Sequence, residues 1–180
     1  REPIGMLVLP LLTAMTQGWA IGWASAPYDP YWAARYPKRA AVMAAAGPIG
    51  NLILAAVAFK LLKGGLNAGW FVAPASVSFS GIVEATAGGM PEFVAALLSI
   101  FLMLNVLLFA FNLLPLPPLD GSAVLALVLP QSQAIQLQQF TAQPWVQILG
   151  LAIAWKAFPL ISSPLFALVL ALLHPGERYR

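Results

Sequence analysis

The chain has 180 residues, 61% of them hydrophobic and only 8% charged, with a mean hydropathy of +0.84. Soluble domains carry about a quarter charged residues, so a water-soluble globular protein is excluded and an integral membrane protein is expected. The net charge of +3 comes from basic residues scattered through the connections. No stripe of them is present to neutralise a row of phosphates, which excludes nucleic acid as a partner. The absence of cysteine removes disulfides and thiolate metal sites.

A bilayer core about 30 Å thick needs roughly 20 apolar residues in a helix. Residues 4–24 meet that requirement, with Pro10, Gly18 and Gly22 predicting a kink or an early end. Residues 25–39 hold Tyr28, Tyr31, Trp32 and Tyr36 beside Arg35, Lys38 and Arg39, the composition of an interfacial belt. Residues 40–59 carry no charge and read as the second span, with Lys60 and Lys63 as snorkelling anchors. Residues 64–92 are rich in Gly, Ala and Ser. Their β-prone stretches, Trp70-Phe71-Val72 and Val77-Ser78-Phe79, predict a short hairpin or a re-entrant loop. The third span is 93–114, in which Ser99, Asn105 and Asn112 are the polar side chains.

Pro115, Pro117 and Pro118 then break the helix, because proline lacks the amide donor and clashes with the preceding turn. Residues 121–129 are too short to cross and read as a half-helix, and the six glutamines of 131–143 predict a segment at the membrane surface. A last apolar run, 145–173, is interrupted by Lys156 and kinked by Pro159 and Pro164. The fold class expected is an all-α membrane protein of about four transmembrane helices, forming one membrane domain over 1–180. Its Pro-broken helix carries a Leu-Asp-Gly segment. Basic residues on the two sides of such a bundle, Arg35, Lys38 and Arg39 against Arg1, Lys60, Lys63, Arg178 and Arg180, are too evenly shared to set orientation.

Asp120 stands out chemically. A carboxylate at the end of a span is expensive, by about 2.5–3.5 kcal/mol on insertion scales, and usually has a partner or a function. Broken backbone at that depth is tolerated where protein or water covers it. The plain alternative is an N-cap, since Asp120-Gly121-Ser122 followed by an apolar run would start the half-helix well. One carboxylate oxygen can cap while the other binds a cation, so the two roles do not compete. In the second span, Gly47 and Asn51 are four apart and share a helix face with Ala46 and Gly50 nearby. Small residues there let a neighbouring helix approach, and helix packing is the plain reading. His174, the single histidine, lies past the last span and reads as an interfacial tail residue. Lys156 reads as snorkelling from a kinked helix. Glu84 and Glu92 read as surface charges flanking the Gly-rich loop.

In this order, Asn112-Leu-Leu-Pro-Leu-Pro-Pro-Leu-Asp120-Gly121 and Ala46-Gly47-Pro48-x-x-Asn51 resemble two segments of the site-2 protease family, the M50-type intramembrane zinc metalloproteases. Weaker support comes from Glu2-Pro3-Ile4-Gly5 leading into Leu9-Pro10-Leu11-Leu12, and from Gly22-Trp23-Ala24. The resemblance implies that Asp120 is the third zinc ligand. It also implies that Asn51 and Asn112 are candidates to steady the substrate backbone or the oxyanion, as neutral donors can. In the family the other two ligands are histidines of a His-Glu-x-x-His helix whose glutamate is the general base. Two histidines four apart plus one carboxylate leave zinc a fourth position for water, whose pKa falls towards about 7. The implied partners are a transmembrane protein or peptide as substrate and membrane lipid, in a cell membrane of bacterial type.

No His-Glu-x-x-His occurs in the chain. The family's histidine helix lies ahead of the part that Arg1-Glu2-Pro3-Ile4 resembles, and the chain starts without methionine. The expectation is therefore that this helix was removed upstream, and that the chain alone is inactive, since one carboxylate cannot hold zinc. Two other functions stay open at this point. One is an inactive homologue that binds transmembrane helices. The other is a small ion-coupled transporter or channel, built on the broken helix and its carboxylate.

Overall fold

The computed structural model describes Val8, Leu11, Leu12, Met15, residues 29–177 and Tyr179. The expected first span, 4–24, lies outside the described residues apart from those four. The chain divides into two compact units, Arg1–Arg35 and Tyr36–Arg180. In the first, a short helix α1 (Pro30–Arg35) opens on Asp29, whose Oδ1 accepts the Tyr31 amide at 2.9 Å. Proline follows at the first helical position, where its missing N–H costs nothing.

The second unit begins with α2 (Pro37–Asn67), a helix of 31 residues. It contains the uncharged run 40–59 and extends beyond it at both ends. Gly64-Gly65 would favour an early stop, yet two tertiary contacts hold the last turns. Gly65 lies directly under the ring of Phe71, and Lys63 Nζ donates to the Leu173 carbonyl at 2.7 Å. The loop that follows forms an antiparallel pair, β1 (Phe71–Val72) with β2 (Glu84–Ala85), in the register Phe71↔Ala85 and Val72↔Glu84. The hairpin therefore exists, but its second strand is not Val77-Ser78-Phe79. That stretch forms the tip, closed by mutual Ser78 and Gly81 backbone bonds of 3.3 and 3.2 Å. The reason is burial: Phe71, Ile82 and Val83 are the loop's large side chains committed to the helical core, and they set the pairing.

Helix α3 (Met90–Asn112) carries Glu92 in its first turn, where an anion complements the amide dipoles. The prolines then end it. Next come α4 (Asp120–Val124) and a 3-10 turn (Leu125–Leu127), which together replace the half-helix expected over 121–129. The glutamine-rich segment forms α5 (Gln131–Thr141), and α6 (Pro144–Leu173) runs through Pro159 and Pro164 to the end of the last apolar run. Among the described residues three helices, α2, α3 and α6, are long and apolar enough to cross a membrane.

Their packing follows the logic of lipid as solvent. Helix faces carrying Val42, Ile53, Val57, Leu97, Leu104 and Ile148 are exposed, while small residues such as Ala40, Ala41, Ala55 and Ala58 are buried. With tails as apolar as leucine outside, close approach of small residues brings helices together, beside the fully buried Leu62, Leu102, Met103 and Leu173 of the core. Ser99 and Asn105 face inward and satisfy themselves on their own helix, donating to the Ala95 and Phe101 carbonyls at 2.7 and 2.8 Å. The main core joins the C-terminal half of α2, α3, the end of α6 and the hairpin. A smaller cluster, Ala41 with Ala126 and Ala134, joins the start of α2 to the 3-10 turn and α5.

Candidate functional site

The proline break folds into a tight turn because few of its backbone groups have a helical partner, and those few are spent locally. Leu113 and Leu114 amides finish α3 on the Phe109 and Phe111 carbonyls. Across the prolines, the Leu119 amide donates to the Leu116 carbonyl at 2.9 Å. The Leu119 carbonyl then accepts both the amide and the hydroxyl of Ser122, at 3.1 and 2.8 Å. Ser122 is buried and thus locks the start of α4. Gly121 lies so close to the Leu113 and Leu114 carbonyls that a Cβ there would overlap them. Glycine is therefore required by contact, and the Leu-Asp-Gly turn folds back onto the end of α3.

Asp120 emerges from this turn half-buried and facing α2. A Cβ on Gly47 would stand 3.2 Å from its Oδ2, so the carboxylate lies directly against the glycine of the Ala46-Gly47-Pro48 segment. The structure thus joins the two segments that the sequence singled out separately. It also removes the plain role for Asp120. The residue preceding α4 is Leu119, no side chain caps the helix, and Asp120 is its first helical residue. Among the described residues, no hydrogen bond or ion pair engages the carboxylate. Near it, α2 has a buried proline, Pro48, which removes the amide that would have bonded the Ala44 carbonyl.

Asn51 is half-buried on α2, one turn beyond Gly47 on the same face, and Asn112 is half-buried as the last residue of α3. Both belong to elements that meet at the turn, since α2 packs against α3 and α4. Among the described residues no three His, Cys, Asp or Glu side chains are grouped to hold a metal. Asp120 supplies one hard, negatively charged donor, suited to one of zinc's four positions. It does not complete a site.

Other residues behave differently from their sequence reading. His174 is not an interfacial tail residue. It is buried, and its Nε2–H donates to the Ile82 carbonyl at 2.7 Å, tying the end of α6 to the hairpin. Packing of the hairpin over the helix end decided this, and no local signal announces it. Lys156 is exposed on α6, and Glu84 and Glu92 are exposed as expected. One residue of the turn's surroundings escaped the sequence altogether. Gly150 of α6 is buried against the Pro117 carbonyl, closely enough that a Cβ would overlap it. An isolated glycine inside an apolar helical run was the available signal.

Three helices long and apolar enough to cross a membrane, with a carboxylate without a capping role set against Gly47, define a polytopic membrane protein. Comparison with known proteins sharpens this. Residues 16–156 match Peptidase family M50, and the chain belongs to that family. It is 34% identical over 116 residues to the Bacillus subtilis (strain 168) protein named "Putative zinc metalloprotease YwhC". The matched region covers 64% of this chain and 47% of that protein, so the chain spans about half the length of this relative. No solved structure matches it. Membership makes the chain part of a membrane zinc-peptidase family.

Proposed function

We propose that this chain is the carboxylate-bearing half of an intramembrane zinc endopeptidase, with Asp120 as a zinc ligand. The observation that carries the reading is the Asp120 carboxylate, relieved of capping, free of hydrogen-bonded partners among the described residues, and set against Gly47. A carboxylate held at a membrane-embedded break without a partner is costly, and a cation is what would compensate it. The membrane class and the peptidase family both support a role in proteolysis.

In this reading Asn51 and Asn112 steady the substrate backbone or the oxyanion, adding donors without charge. The substrate is a transmembrane segment of another membrane protein, reached from within a bacterial-type membrane. When bound, zinc supplies a polarised water as nucleophile. Catalytic zinc takes three protein ligands. This chain has one histidine, and that residue is bonded to Ile82. In this reading the two histidine ligands that the family resemblance implies are not supplied by this chain, and the chain by itself is inactive.

The test is metal content and cleavage by the full-length protein in detergent or liposomes. Zinc should copurify with it and be lost on Asp120→Asn, together with cleavage of a transmembrane peptide. Cleavage that persists after complete removal of zinc would overturn the mechanism.

A further inference from the structure

We propose that Gly150, on the last helix, is a positioning residue for the Asp120 carboxylate. The proposal rests on the reading of Asp120 as the working carboxylate, but its geometry stands independently.

Helix α6 presents Val146, Gly150 and Ala154 as successive buried positions, while Ile148, Leu149, Leu151 and Ile153 between them are exposed. On hydropathy alone alanine would serve at position 150 as well as at 154. What excludes it is the Pro117 carbonyl, which occupies the place of a Cβ. Pro117 is three residues ahead of Asp120, and the intervening chain has no slack. The Leu116 carbonyl holds the Leu119 amide, the Leu119 carbonyl holds Ser122 twice, and Gly121 abuts the Leu113 and Leu114 carbonyls. A push on Pro117 is therefore not absorbed within the turn. It is passed to Leu119 and Asp120, whose Oδ2 lies 3.2 Å from where a Cβ on Gly47 would stand. The turn is pressed by α6 at Pro117 while its carboxylate stands beside Gly47 of α2, so a methyl group at Gly150 shifts the carboxylate relative to α2. A displacement near 1 Å is the scale on which a built site fails.

The chain has no cysteine, so the carboxylate's position can be followed with a single introduced thiol. The full-length protein carrying Asp120→Cys is labelled with a maleimide, in the parent and in Gly150→Ala. The labelling rate follows the thiol's exposure and surroundings, and it should change about threefold or more. In proteins that keep Asp120, Gly150→Ala should lower zinc affinity about tenfold, the usual cost of disturbing a ligand's support. Val146→Ala serves as the control for simple loosening of α6. It removes buried volume one turn away while leaving position 150 as glycine, and it should lower the melting temperature while leaving labelling rate and zinc affinity unchanged.

Unchanged labelling in Gly150→Ala, or equal changes in Val146→Ala, overturns the proposal. If Gly150→Ala does not accumulate, the double variant Gly150→Ala/Pro117→Gly, whose freer backbone can move the carbonyl aside, is measured in its place. Its accumulation with altered labelling supports the proposal, and its loss or its parental labelling rate overturns it. The zinc arm separates this inference from the metal reading. If Asp120→Asn leaves zinc content unchanged, the metal reading fails, while labelling still decides whether Gly150 sets the position of the carboxylate.

Discussion

At the hairpin end of the bundle, side chains reach backbone carbonyls, although the buried Tyr179 hydroxyl there has no partner among the described residues. Lys63 closes the C-terminus of α6 by donating to the Leu173 carbonyl, and His174 holds Ile82. The Thr86 hydroxyl is within reach of the Gly69 and Trp70 carbonyls at 3.2 and 3.1 Å. At the turn end, the backbone is equally well tied, but the Asp120 side chain is left over. Both ends terminate membrane-crossing helices, and both need their orphan carbonyls satisfied. The hairpin end uses side chains to do so. The turn end uses the backbone and Ser122, which leaves a charged side chain available for a ligand. The contrast runs along α2: its last turns anchor the fold, and Gly47 near its start lies beside the Asp120 carboxylate.

That contrast can be broken most forcefully at Asp120. Asp120→Asn should lower zinc retention by the full-length protein more than about a hundredfold, beyond the cost of disturbing a supporting residue. Measured in zinc-free protein, its thermal stability should stay within about 0.5 kcal/mol of the parent, because the carboxylate makes no bond that folding depends on. Metal analysis beside a melting curve reads both. A large fall in melting temperature would mean that the carboxylate is structural, and the contrast between the two ends would collapse.

His174→Ala should do the reverse. It leaves the buried Ile82 carbonyl without its donor, at a cost of about 1–3 kcal/mol, with zinc retention unchanged. Lys63→Met keeps the apolar stem but removes the donor to Leu173, and should cost about 0.5–1.5 kcal/mol in the same melting assay. The smallest effect is expected at Gly64, where a Cβ meets nothing within 4 Å. Gly64→Ala should stabilise α2 by about 0.5–1 kcal/mol, since only the glycine's backbone entropy is at stake. A loss there would show that the last turns of α2 carry a constraint that the contacts at Gly65 and Lys63 do not explain.

The sequence was most informative where physics is local. Apolar runs bounded by charge or proline located α2, α3 and α6, because hydropathy and helix length in a bilayer need no knowledge of neighbours. The break at Pro115, Pro117 and Pro118 was legible for the same reason, and so was the unusual position of Asp120. The hairpin was legible only in part. β-propensity marked Phe71-Val72, but pairing with Glu84-Ala85 depended on Ile82 and Val83 finding the helical core. The reach of α2 past Gly64-Gly65 depended on Phe71 and on the far end of α6.

By itself, the sequence determined the membrane character, the long helices, the broken segment and the family to which its motifs belong, since each follows from composition or from residues adjacent in the chain. Only tertiary structure decided that Asp120 abandons the cap and turns towards Gly47. It likewise decided that His174 is buried under the hairpin and that Gly150 presses on the Pro117 carbonyl. Those are contacts between residues 33, 73 and 92 positions apart, and their geometry is fixed by how whole helices pack rather than by any local preference.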